Sequence, residues 1–72
     1  MVDFKEDGDQ VHFFNVTCVG ETEKAIRVDG PCWLDAEWVP QSQVTSDSEV
    51  WEKDQEGTLV VTRWIAEEKG WI

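Results

Sequence analysis

The run Val11 to Val19, VHFFNVTCV, constrains this chain more than any other segment, because β-branched and aromatic residues occupy both of its alternating faces. His12, Phe14, Val16 and Cys18 fall on one face, and Val11, Phe13, Asn15, Thr17 and Val19 on the other. A strand with one wet face does not carry apolar side chains on both sides. The run therefore predicts a central or strongly bent strand of a small barrel.

Later runs supply its partners. Gly20-Glu21-Thr22 reads as a hairpin connection into KAIRV, which places Ile26 and Val28 inward and Glu23, Ala25 and Arg27 outward. Asp29-Gly30-Pro31 has turn chemistry. The pattern then predicts a third strand from about Cys32 to Val39, with Leu34, Ala36 and Trp38 on one face and Trp33, Asp35, Glu37 and Val39 on the other. Pro40 closes it, Gln41-Ser42-Gln43 makes a turn or a short 3₁₀ segment, and Val44 returns to the core. After a loop from Thr45 to Ser48, a fourth strand Glu49 to Glu52 is expected to face a fifth, Thr58 to Thr62, across an acidic turn. Thr62 is placed to cap a helix through Lys69 that Gly70 ends, and a helix this short must be held by packing of Trp64, Ile65, Trp71 and Ile72.

The expected fold is mainly β: a small open five-stranded barrel, SH3-like or OB-like, with a short C-terminal helix. Residues 1–10 carry Asp3, Glu6, Asp7 and Asp9 against a single Lys5 and include Gly8, so they are expected to form a flexible acidic leader with Phe4 as its anchor. Residues 11–72 then make one barrel domain, as a length of 72 residues requires. A domain of this size buries enough apolar surface to contribute on the order of 110 kcal/mol, against about 108 kcal/mol of ordering entropy. Little surplus is left for backbone strain or unpaired buried charge.

Charge narrows the classes of function. Six basic residues against sixteen acidic ones give a net charge of -10. Phosphate binding depends on Lys and Arg, so direct nucleic-acid binding is disfavoured, while the same field speeds association with a basic partner. No apolar run is long enough to span a membrane and the first residues are acidic, so a soluble cytoplasmic protein is expected. Cys18 and Cys32 do not form a disulfide framework and are expected as free thiols. Two cysteines and the lone His12 lack metal-ligand spacing, and Asn15-Val16-Thr17 reads as a chance glycosylation match, so no metal or cofactor is expected. His12 lies mid-strand with no nucleophile patterned beside it, and the sequence predicts no catalytic residue and no enzyme.

Five tryptophans exceed what so small a core easily hides, and Trp is the residue most enriched at binding hot spots. Two candidate binding sets follow: Trp33 with Asp35 and Glu37, and Trp51 with Glu49 and Glu52. Each puts an aromatic anchor inside an acidic rim suited to a basic protein. Trp38, Pro40, Trp64, Gly70 and Trp71 are assigned structural roles.

Three ordered blocks carry a resemblance: ETEKAI at Glu21 to Ile26, WVPQSQV at Trp38 to Val44, and TRWIAEEKGWI at Thr62 to Ile72. Together they resemble a family of small uncharacterised phage and prophage proteins marked by ETEKAI, W-[IV]-P-x-S-Q and W-I-A-x-x-K-G. Gln41 stands where members often carry Lys. The resemblance implies a phage-type accessory protein located in the host cytoplasm. In that setting an acidic protein-binding module takes its most specific form as a DNA mimic, with carboxylates occupying the phosphate site of a host nuclease or defence factor. The alternative is a single-stranded nucleic-acid-binding barrel, with exposed aromatics as the stacking platform.

Overall fold

A computed structural model describes residues 3–72. Strands β1 (Phe4–Asp7) and β2 (Gln10–Glu21) form an antiparallel hairpin, with Phe4 opposite Phe13 and Asp7 opposite Gln10. This corrects the reading of residues 1–10 as a leader: from Phe4 to Asp7 the acidic segment is a strand, while Met1 and Val2 lie outside the described residues. The Phe4 and Phe13 rings meet at 5.9 Å, so one anchor is enough to hold a short polar strand in register.

The chain continues through β3 (Ala25–Asp29), β4 (Glu37–Pro40), a 3₁₀ turn (Gln41–Gln43), β5 (Glu56–Thr62) and α1 (Arg63–Glu68). All pairings are antiparallel. β1 and β3 share one edge of β2 in succession, β4 lies outside β3, and β5 runs along the other edge of β2. The result is the expected mainly β, five-stranded open barrel with a short C-terminal helix. Its order is a meander with the last strand returning to β2.

Two bulges explain the mixed faces of the central run. Phe13 is opposite Leu59 and Val16 opposite Gly57, so Phe14 and Asn15 together face Thr58 alone. Asn15 takes the left-handed conformation at φ 59° and is exposed. The inward phase therefore switches: Val11 and Phe13 point to the core before the bulge, Val16 and Cys18 after it, and all four are buried. The expected faces, which joined His12 and Phe14 to Val16, hold only on one side of Asn15. A second irregularity between Cys18 and Gly20 leaves Val19 as the extra residue and turns its side chain to solvent.

Cys32 to Ala36 were expected in a strand and are loop instead, so β4 starts at Glu37. Pro31 denies the ladder a donor, and the Trp33 N–H turns back to the Gly30 carbonyl at 3.2 Å. Glu49 to Glu52 are also not a strand, although the segment lies where the fourth strand was expected. Instead the chain from Thr45 to Glu49 straps the outer edge of β5, with side chains standing in for some of the ladder groups. Thr45 N–H donates to the Val60 carbonyl (2.9 Å) and Glu49 N–H to the Thr58 carbonyl (2.9 Å). In return the Val60 N–H donates to Ser48 Oγ (3.1 Å) and the Thr58 N–H to the Glu49 carboxylate (2.8 Å). Ser48 is buried; its hydroxyl also accepts from the Val50 N–H and donates to the Val50 carbonyl, which fills its capacity.

The helix forms as its sequence dictates. Thr62 Oγ1 accepts the Ile65 N–H and donates to Gln43 Oε1 at 2.6 Å, tying the cap to the 3₁₀ turn. At the far end Gly70 has φ 74°, with its N–H bonded to the Glu67 carbonyl and the Trp71 N–H to the Ala66 carbonyl. This is a Schellman closure, and it folds Trp71 back over the barrel.

Removing the Ser48 hydroxyl strands two N–H groups, so Ser48→Ala should cost about 1–3 kcal/mol. Urea unfolding should show a clearly lower midpoint; an unchanged midpoint would mean that the strap does not depend on this bond.

Candidate binding surface

The structure redistributes the five tryptophans. Trp33 and Trp71 are half-buried in one aromatic cluster around Phe13: ring centroids lie 5.3 Å apart for Phe13 and Trp33, 5.6 Å for Phe13 and Trp71, and 5.1 Å for the two indoles. Trp51 packs on the core and its indole N–H donates to the Ser48 carbonyl at 2.9 Å. Trp38 and Trp64 are the exposed pair, at 43% and 59%. The assignment changes for two of them: Trp38 and Trp64, expected as structural, face solvent, while Trp33 and Trp51, the candidates for partial exposure, are half-buried and pack on the core with one side still open.

Helical geometry accounts for Trp64. Ile65 and Ala66 point inward, and at about 100° per residue Trp64 lies on the opposite side of so short a helix. Register accounts for Trp38: Val39 is buried opposite Ile26, so Trp38 must face outward opposite Arg27, whose guanidinium lies 6.0 Å from the ring centroid. Arg27, outward-facing by alternation, was the available sequence signal for an outward Trp38. Of the other residues assigned structural roles, Pro40 ends β4, and Gly70 and Trp71 close the helix onto the core.

Of the first candidate set, Asp35 is exposed in the loop before β4, and Glu37 is half-exposed at the start of β4, on the opposite face of the strand from Trp38. Neither carboxylate is ion-paired among the described residues. In the second set Glu49 is committed to the Thr58 N–H and lies over Gly57, where an added Cβ would fall 2.6 Å from its Oε1. Glu52 stays exposed.

Few carboxylates are neutralised. Among the described residues Arg63 is the one Lys or Arg side chain within ion-pair distance of an acid, bridging Glu6 at 2.8 Å and Glu67 at 3.5 Å. His12 Nε2 lies 3.7 Å from the Asp7 carboxylate, beyond hydrogen-bond reach. An open groove of about 320 Å³ is lined by Asn15, Glu56 and Gly57.

Cys18 and Cys32 are free. Burial pushes both thiols up, aided at Cys18 by the charges of Glu21 and Asp54 and at Cys32 by Asp3. Backbone hydrogen bonds of Gly20 and Arg27 oppose the rise at Cys18, whose thiol donates to the Gly20 carbonyl at 3.1 Å. The rise disfavours the thiolate, the form in which cysteine acts as a nucleophile. Among the described residues no cluster of His, Cys, Asp and Glu is arranged to hold a metal, and no helix is long and apolar enough to cross a membrane. No family model, curated protein or solved structure matches the chain.

Trp64→Ala should leave the urea midpoint close to wild type, because most of its ring is already in water, whereas Phe13→Ala should cost about 3–5 kcal/mol at the centre of the aromatic cluster. Equal losses in the two variants would contradict this placement.

Proposed function

We propose that this chain is a small acidic protein-binding module of phage type that docks onto a basic protein. The observation that carries the reading is the presence of two solvent-exposed tryptophans on a body with sixteen acids and six bases. Aromatic anchors supply binding energy where they are desolvated, and unpaired carboxylates steer a cationic partner and reject an anionic one. Catalysis has no matching constellation: His12 touches no candidate nucleophile among the described residues, and burial disfavours the thiolate at both cysteines.

The phage-type assignment rests on the three sequence blocks, and the cytoplasm of the host is the compartment it implies. A DNA-mimic inhibitor of a host nuclease or defence factor is the form this module takes if the basic partner is itself a DNA-binding protein. The nucleic-acid-binding alternative needs a positive groove. Lys24, Arg27, Arg63 and Lys69 do not provide one, since Arg63 is spent on Glu6 and Glu67 and Arg27 lies against Trp38.

Immobilised protein exposed to extract of the cells that harbour the gene should retain one or more basic proteins at low salt and release them at high salt. Either Trp38→Ala or Trp64→Ala should weaken the retention, and a labelled single-stranded oligonucleotide should not bind. Oligonucleotide binding that weakens steeply with salt, or the absence of any retained protein, would overturn the proposal.

A further inference from the structure

The edges of the sheet are unequally protected. β2 is paired on both sides, and the outer edge of β5 is closed by the Thr45 to Glu49 strap. β1 is an outer strand, but it carries Lys5, and its Glu6 is held by Arg63. β4 has neither a strap nor a Lys or Arg, and no backbone group in Glu37–Pro40 bonds outside the β3 ladder among the described residues; Pro40 and the shortness of the strand narrow its open part to the groups around Trp38.

Register identifies which groups are free. The Thr22 N–H bonds the Ala25 carbonyl on the β2 side, and the Gln41 N–H bonds the Lys24 carbonyl on the β4 side. Antiparallel pairs alternate between bonded and unbonded, so Ile26 with Val39 and Val28 with Glu37 are the bonded pairs. Pro40 opposite Ala25 agrees, having no N–H to give. Arg27 with Trp38 is then an unbonded pair, and both the N–H and the C=O of Trp38 point away from the sheet.

The surroundings of these two groups select a partner. Asp35 and Glu37 lie at the head of the strand without ion-pair partners among the described residues, Asp29 is the β3 residue next to the Val28–Glu37 pair, and Leu34 is fully exposed just upstream. We propose that the open edge of β4 takes an extended, Lys- or Arg-bearing segment of a partner protein as an added strand. Trp38 N–H and C=O supply its backbone bonds, Asp35 and Glu37 meet its cations, and the Trp38 ring receives its outward side chains. This is strand addition, in which main-chain bonds give affinity and alternate side chains give selectivity. It rests on the protein-binding reading above and names the place and chemistry of the contact.

A fluorescein-labelled, end-capped peptide of alternating Lys and Val is the probe. At saturation, hydrogen exchange of the Trp38 amide, followed by NMR on the labelled full-length protein, should slow at least about tenfold, in line with a newly formed backbone bond. A peptide with Pro in place of the Val residues should not produce the effect. Asp35→Lys combined with Glu37→Lys should weaken the Lys-Val peptide at least about tenfold, and Trp64→Ala should not change it. No slowing at Trp38, whether the peptide stays free or binds elsewhere, overturns the edge assignment without needing any variant to fold. A cellular partner that the folded charge-reversed variant still retains overturns the edge while leaving the binding reading intact; failure of the wild type to retain any partner overturns the binding reading itself.

Discussion

The inward phase of β2 has to change partway along the strand, and the structure depends on that change. Val11 and Phe13 can share a core with Val16 and Cys18 only if one extra residue is inserted between the two pairs, because side chains in a strand alternate strictly. Asn15 provides the insertion in a left-handed conformation, which Asn tolerates better than most residues. The bulge bends β2, and Gly57 lies across the ladder at φ 145° with the Glu49 carboxylate over it. The bend lets β1 and β3 use the same edge of β2 in succession and turns one long strand into the shared wall of a barrel.

From that wall the rest of the core follows. Phe13, placed just before the bulge, gathers Phe4, Trp33 and Trp71 from three separate segments, and Gly70 is what returns Trp71 to it. The opposite flank is held differently, by Ser48 and Glu49 lending side-chain oxygens to β5. Trp51 steadies that strap through its bond to the Ser48 carbonyl. With these three indoles engaged in the body of the fold, Trp38 and Trp64 are left outside, among carboxylates that have few cations to meet. Surface chemistry is in this sense a remainder of the packing.

Local rules were legible and long-range ones less so. The Thr62 cap, the Gly70 stop, the Pro40 boundary and the central strands can be read from residue chemistry because each depends on neighbours within a few positions. β1 escaped because FKED has no alternation of its own and becomes a strand only through Phe4 meeting Phe13 and Arg63 meeting Glu6. The segment Glu49 to Glu52 misled in the other direction: it lies where a strand belongs, yet Ser48 and Glu49 satisfy β5 with side chains that no propensity scale counts. Trp64 faces out because α1 turns Ile65 and Ala66 inward, whereas Trp33 and Trp38 depend on where the β4 ladder begins. Alternation over Cys32 to Val39 holds only if the ladder begins at Cys32, whereas the turn at Gly30 comes before a loop that takes Trp33 into the cluster, and the ladder begins at Glu37. Asp35 and Glu37 kept their place in the candidate surface because charge, unlike facing direction, does not depend on where the ladder begins.

Equilibrium urea unfolding of Asn15→Val beside Asn15→Gly tests the phase switch most directly. Glycine accepts the left-handed conformation freely and should keep the midpoint within about 1 kcal/mol of wild type. Valine is β-branched and should lose about 1–2 kcal/mol or more at this one exposed position, where no buried contact is removed. An Asn15→Val protein as stable as wild type would contradict the account, because Asn15 would then not be the residue on which the strand turns.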